Sequence, residues 1–255
     1  MPRTRRSRKT SASPSQGRQT AHLLQGTEAA RPLASLVFLS PLLTFYVVGL
    51  IWVRPDLAAG ADVLLRQALR LLGVSGVLAP TWLVVAVLLV WHLARRDPWR
   101  LSWGLLAQMA TETALLVIPL FVMLLAFNAF SHSALAMGGA AAPGPLWLDV
   151  AMGGIGAGIY EELLFRLLLV GGPLLVLRHV LHDDSFGARV AVVLIVAALF
   201  SGAHHMANPA GFTWTLFLFR AAAGVYLGFV FVYRGFGIAA GVHILYNLIV
   251  NLTAA

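Results

Sequence analysis

From its N-terminus the chain runs through a polar lead and then a series of apolar stretches separated by short polar breaks. At a rise of about 1.5 Å per residue, an apolar helix of about 20 residues spans the hydrocarbon core of a bilayer. Stretches of this kind fall at 33–53, 78–94, 101–130, 147–180, 188–205, 213–233 and 237–252, and they predict seven spans. The third is long and holds Pro119 in its interior, which predicts a kink. After the first, "DLAAGADVLLRQALRLLG" sets Arg66 and Arg70 against a Leu-rich face and predicts an amphipathic helix lying in the interface. Insertion of that segment would make the count eight. A Gly/Ala/Pro loop, "MGGAAAPGP", precedes the fourth stretch. The expected fold class is therefore all-α: a polytopic transmembrane helical bundle of about seven spans plus one interfacial amphipathic helix.

Composition agrees with this pattern and narrows the chemistry. Of 255 residues, 59% are hydrophobic and only 11% charged, against roughly 25% charged in a soluble domain; mean hydropathy is +0.83. Cysteine is absent, so disulfides, thiolate nucleophiles and Cys-ligated metals are excluded, and any chemistry rests on His, carboxylate or hydroxyl groups. The net charge of +8 is concentrated in the lead, where Arg3, Arg5, Arg6, Arg8, Lys9 and Arg18 stand without an acidic neighbour through residue 20. Residues 1–31 read as a basic, disordered cytoplasmic tail that meets anionic lipid headgroups. A nucleic-acid partner is not expected for a basic cluster beside a membrane span. The first apolar stretch starts beyond residue 31 and is long enough to span, which argues against a cleavable signal peptide.

With the N-terminus inside, the inner loops carry Arg95, Arg96 and Arg100, then Arg178 and Arg189, then Arg234, while the loops after the third and fifth spans carry no Lys or Arg. Arg54, Arg66 and Arg70 in the first outer loop run against the rule. The "GGIGAG" run at 153–158 has a Gly-x-Gly spacing, but it lies within an apolar helical stretch with no strand before it. Its small residues suit close approach of another helix, not a dinucleotide.

Three polar constellations interrupt three spans. In "GIYEELLFRLLLV", Glu162 and Arg166 are four apart and share a helix face, so their charges can pair. Glu161, rotated by about 100°, is left free to act as a base. A buried structural ion pair is the alternative for Glu162 and Arg166 alone; a second, adjacent carboxylate favours function, because neighbouring carboxylates separate their protonation equilibria. In "FSGAHH", Phe200 packs one turn below the imidazole of His204, whereas His205 points another way, toward the aqueous loop. A satisfied interfacial histidine is the plainer reading of His204 taken alone. In "HILYN", His243 and Asn247 are four apart and can both donate into one spot, as an oxyanion requires; interhelical hydrogen bonding is the alternative.

The ordered set "EExxxR … FxxxH … HxxxN" resembles the CPBP family of intramembrane proteases, which includes the CAAX prenyl endopeptidases and bacterial proteins linked to bacteriocin processing and self-immunity. The resemblance covers residues 150–252, with Glu161, Glu162 and Arg166 matching the first motif, Phe200 and His204 the second, and His243 and Asn247 the third. It implies an all-helical bundle with a chamber open to membrane and water. In that chamber Glu161 and His204 activate a water for peptide-bond attack, His243 and Asn247 hold the oxyanion, and Glu162 and Arg166 organise the first helix.

The implied organisation is a tail at 1–31, N-terminal transmembrane helices at 32–146 and a CPBP-like catalytic core at 147–255. The implied partner is a membrane-associated protein or peptide substrate, in what reads as a prokaryotic cytoplasmic membrane. The family has been discussed as metal-dependent and as glutamate-dependent, and no "HExxH" signature is present. No cofactor is expected; zinc is the alternative, with Glu161, His204 and His243 as its ligands. Two other function classes stand beside the protease: a non-catalytic peptide-binding or bacteriocin-immunity protein, and a transporter suggested by Glu112 and Arg220 within other spans. No internal repeat or broken-helix pair supports the transporter.

Overall fold

A computed structural model describes residues 28–52, 60–131, 147–207 and 212–254. The basic tail through residue 27, the loop at 137–145 and the first part of the amphipathic segment lie outside the described residues. Among the described residues all regular structure is helical. A short 3-10 turn, Glu28–Ala30, leads into α1 (Pro32–Trp52), followed by α2 (Gly60–Leu71), α3 (Ala79–Arg95), α4 (Trp103–Leu116) and α5 (Ile118–Ser131). Then come α6 (Trp147–Glu161), a π-helical segment (Glu162–Val170), α7 (Gly171–His179), α8 (Phe186–Ala207), α9 (Trp214–Arg234) and α10 (Phe236–Ala254).

Among the described residues, four helical stretches are long and apolar enough to cross a membrane: Pro32–Trp52, Trp103–Ala129, Phe186–Met206 and Trp214–Arg234. Two shorter apolar helices, Ala79–Arg95 and Phe236–Leu252, accompany them. This is an integral membrane protein. By length and composition the expected seven spans reduce to these four and the two shorter helices, while the 147–180 stretch is helical from Trp147 to His179 but changes type at Glu162.

Local chemistry sets several of these boundaries. Ser102 caps α4 by accepting from the Leu105 amide at 3.1 Å, and Thr213 caps α9 by accepting from Leu216 at 3.2 Å. The predicted kink is a break at Val117, two residues before Pro119, a residue with no amide hydrogen to give to the preceding turn. The Leu120 amide bonds the Val117 carbonyl instead of that of Leu116. The freed Leu116 carbonyl accepts from the Tyr226 hydroxyl of α9 at 2.7 Å, which satisfies a backbone group that lipid could not.

α10 is the centre of the bundle, packed by α1, α4, α6, α9 and the π-helical segment, and its residues 236–244 are all buried. Gly235 alone joins α9 to α10 at φ +88°, and a Cβ there would meet the Ala30 Cα at 2.6 Å, so the turn requires glycine. The glycine run of α6 has the close-packing role its small residues suggested. A Cβ on Gly158 would stand 2.9 Å from the Ile244 amide nitrogen of α10 and 3.0 Å from its Cα. Backbone cannot yield as a side chain does. Gly158→Ala is therefore expected to destabilise the bundle by about 1–3 kcal/mol, read as a lower melting temperature in detergent. Gly172→Ala, whose Cβ meets nothing within 4 Å, serves as the control; equal melting of the two variants would refute the packing argument.

The amphipathic segment docks against α3 and α6. Its Arg66 ion-pairs with the buried Asp62 one turn earlier, and Asp62 also accepts from the Tyr46 hydroxyl of α1 at 3.1 Å. The Tyr46 ring meets that of Tyr160 edge to face at 5.5 Å, and the Tyr160 hydroxyl lies 2.7 Å from Thr81 Oγ1. Side chains of α1, α2 and α3 thus hold α6 at the residue before Glu161. Leu64 and Leu71 of α2 remain exposed, as befits an interfacial face.

Candidate active site

The two adjacent glutamates sit where α6 passes into the π-helical segment, a type of helix defect that recurs at functional sites. Glu162 and Arg166 are 0% and 1% exposed, with Arg166 Nη1 and Glu162 Oε1 3.0 Å apart. The predicted pair therefore forms. Below the guanidinium lies the Phe200 ring of α8, 4.4 Å from the Arg166 Cζ to the ring centroid, a cation–π contact. Phe200 also meets Phe165 edge to face at 5.0 Å, His204 at 4.6 Å and His243 at 6.3 Å. It packs beside His204 as the spacing predicted, and it also braces Arg166 and His243 on other helices.

Hydrogen bonds orient both imidazoles. His204 Nδ1 donates to the Phe200 carbonyl one turn back at 2.9 Å, which turns Nε2 toward Glu161 Oε1, 3.6 Å away. His243 Nδ1 donates to Glu162 Oε1 at 2.8 Å, and its Nε2 faces Glu161 Oε2 at 3.8 Å. Each oxygen of Glu161 thus faces one Nε2 at a separation longer than a direct hydrogen bond. Glu162 and Glu161 approach opposite sides of the same His243 ring. The bond from Glu162 to His243 joins helices that the sequence could only treat separately.

These groups line a cavity of about 260 Å³. Glu161 and Gly154 of α6, His204 of α8, Arg220 of α9, and His243 and Asn247 of α10 form its polar wall, with Leu120 and Phe219 among its apolar residues. Asn247 Nδ2 donates to the Gly154 carbonyl at 3.4 Å, a long bond on the cavity wall. Glu161, His204, His243 and Asn247 are therefore gathered around one space, with Glu162, Arg166 and Phe200 packed around them. Among the described residues, no group of three or more His, Cys, Asp or Glu side chains is placed to hold a metal ion.

Two sequence readings change, and one open residue finds its place. His205 does not reach an aqueous loop: it is buried, its Nδ1 donating to the Ser201 carbonyl at 2.8 Å and its ring packed on Phe212 and Phe217. Glu112 pairs with Arg234, which had been read as a loop cation, and Arg234 Nε donates to Glu112 Oε2 at 2.8 Å. Arg220 lines the same cavity as Glu161. Its place on the same apolar helix face as Phe219 and Ala223 was the available signal, because a cation in that stripe must face a polar space or an interface.

Buried carboxylates and imidazoles thus converge on an internal cavity of a helical membrane protein, an arrangement consistent with a catalytic site. Residues 143–249 match the family model described as type II CAAX prenyl endopeptidase Rce1-like, so the chain carries a CPBP-family domain over that range. Membership implies an intramembrane protease with protein or peptide substrates in the membrane. Neither curated proteins nor solved structures gave a significant match.

Proposed function

We propose that the cavity hydrolyses a peptide bond of a membrane-associated protein or peptide, with Glu161 as the base that activates water. The observation that carries this reading is the position of Glu161 between two imidazole Nε2 atoms, at 3.6 and 3.8 Å, on a cavity wall. At those separations the carboxylate is not committed to a direct bond with either ring, so it can take a proton from a water that His204 Nε2 helps to orient. Because His204 Nδ1 is held by the Phe200 carbonyl, only Nε2 addresses the reaction. The carbonyl oxygen of the scissile bond gains charge on attack, and His243 Nε2 and Asn247 Nδ2 are its donors. For His243 to donate from Nε2 while Nδ1 donates to Glu162, its ring must be an imidazolium. Glu162 and Glu161 supply the counter-charge, and Arg166 and Phe200 hold Glu162 and both rings in place.

In this reading residues 147–255 form the catalytic core, residues 32–146 the supporting helices and residues 1–31 a tail on the cytoplasmic side of a prokaryotic membrane. A non-catalytic chamber that only holds a peptide would bind without cleaving. The discriminating experiment is a peptide-cleavage assay in detergent or liposomes with Glu161→Gln protein beside wild type. Cleavage by wild type alone supports the protease, and peptide binding with no cleavage by either supports the holding protein.

Metal has no step in this scheme. Using Glu161, His204 and His243 as ligands would consume the proposed base and leave Glu162, already committed to Arg166 and His243, as its nearest substitute. Elemental analysis of purified, active protein is expected to find no near-stoichiometric zinc, and chelation is expected to leave activity in place. Stoichiometric zinc, with activity lost on removal and restored on return, would recast the three residues as ligands.

A further inference from the structure

We propose that Arg220 is a specificity-determining residue of the chamber, receiving a carboxylate carried by the bound peptide. This rests on the peptide-binding reading of the cavity given above. The face of α9 that lines the cavity consists of Leu216, Phe219, Arg220, Ala223 and Leu227, positions three and four apart that share one side of a helix. Arg220 is the one charged member of that stripe. It stands on the wall of the same cavity as Glu161, His243 and Asn247.

Among the described residues, three glutamates of the bundle have other partners. Glu162 pairs with Arg166 and His243, Glu112 pairs with Arg234, and Glu161 faces His204 and His243. No carboxylate of the described residues lies within ion-pair distance of Arg220. A half-buried guanidinium in an apolar stripe is costly without a partner. It offers parallel N–H donors in a planar fork that matches a carboxylate in two-point contact. The surrounding Leu216, Phe219 and Leu227 suit apolar residues beside that carboxylate. An anion held there also fixes the peptide along the chamber and sets which bond lies over Glu161. Two sources share this chemistry, a free C-terminus and an acidic side chain. The competing reading is that Arg220 is only a distant counter-charge for Glu161.

The test is equilibrium binding to full-length protein in detergent, in a Glu161→Gln background so that no peptide is consumed. Three labelled apolar peptides of one sequence are compared: the C-terminal acid, the C-terminal amide, and the amide with one Glu side chain near its end. The acid is expected to bind at least about 10-fold more tightly than the plain amide, from the strength of charge-assisted hydrogen bonds. The Glu-bearing amide recovers the affinity if a side-chain carboxylate is also accepted and stays weak if only the C-terminus is read; tighter binding of the Glu-bearing amide alone assigns the site to a side chain.

Arg220→Gln is expected to bring the acid-to-amide ratio to about one, and Arg220→Lys to leave it intermediate, because an ammonium keeps the charge without the fork. If the Gln variant does not fold, the Lys variant reads the ratio. Equal binding of all three peptides to protein retaining Arg220, or a preference unchanged in folded Arg220 variants, would overturn the inference while leaving peptide cleavage untouched. A carboxylate preference that depends on Arg220 in a wild-type protein that cleaves none of these peptides would uphold the inference and sink the protease reading.

Discussion

Glu161→Gln is expected to lower peptide cleavage by at least about 100-fold, the usual contribution of a positioned general base, while the protein still inserts and purifies as a folded bundle. A factor of 100 corresponds to about 2.7 kcal/mol of transition-state stabilisation. The amide keeps the shape of the carboxylate, so the packing against His204 and His243 survives while the basic oxygen is lost. His204→Ala is expected to have an effect of the same order, because His204 Nε2 is the other group facing Glu161 Oε1 and its Nδ1 bond ends within its own helix. Each variant is measured for initial cleavage rate and for melting temperature in the same detergent. Retained cleavage by a well-folded Glu161→Gln protein would sink the mechanism. Loss of cleavage together with loss of the fold would instead move Glu161 from the chemistry to the scaffold.

Arg166→Ala has the largest expected effect on stability. The pair it breaks is almost wholly buried, with side chains 2% and 0% exposed, and removal of one partner leaves Glu162 charged with the His243 bond as its remaining support. Breaking one side of such a pair typically costs about 3–5 kcal/mol, and the cation–π contact on Phe200 is lost as well. Folded yield and melting temperature should both fall, and activity with them, since Glu162 holds His243. A double variant, Glu162→Gln with Arg166→Met, should recover stability, because it removes both charges and leaves a polar group for His243. If Arg166→Ala melts like wild type and only activity falls, Arg166 contacts substrate and the pairing argument is wrong.

Much of this molecule is written in its one-dimensional pattern, for physical reasons that act locally. Apolar stretches of spanning length can meet lipid only as helices, because backbone groups in hydrocarbon must bond within their own segment; hence the helices Pro32–Trp52, Ala79–Arg95 and Phe236–Ala254 lie over the stretches 33–53, 78–94 and 237–252 of the pattern. Pairing of Glu162 with Arg166 follows from four-residue spacing, and the break before Pro119 follows from a missing amide hydrogen. Gly153–158 announced a close helix contact without naming the partner. The presence of charges in apolar stretches announced a polar space, because lipid-facing charges are so costly.

Partners between helices were decided only by the tertiary structure. Which imidazole Glu162 would hold, that Arg234 and not Arg220 would reach Glu112, and that His205 would turn inward on Phe212 and Phe217 depend on rotations and translations of whole helices. Those are set by packing at points such as Gly158 against Ile244, and the helical period of each segment carries no information about its neighbour. The change to π geometry at Glu162 likewise has no counterpart in the local residue pattern. The sequence by itself therefore determined which residues had to find a polar environment. The bundle decided that they share one cavity, with Glu161 between two histidines and Arg220 on the same cavity's wall, because that arrangement exists only once separate helices are packed together.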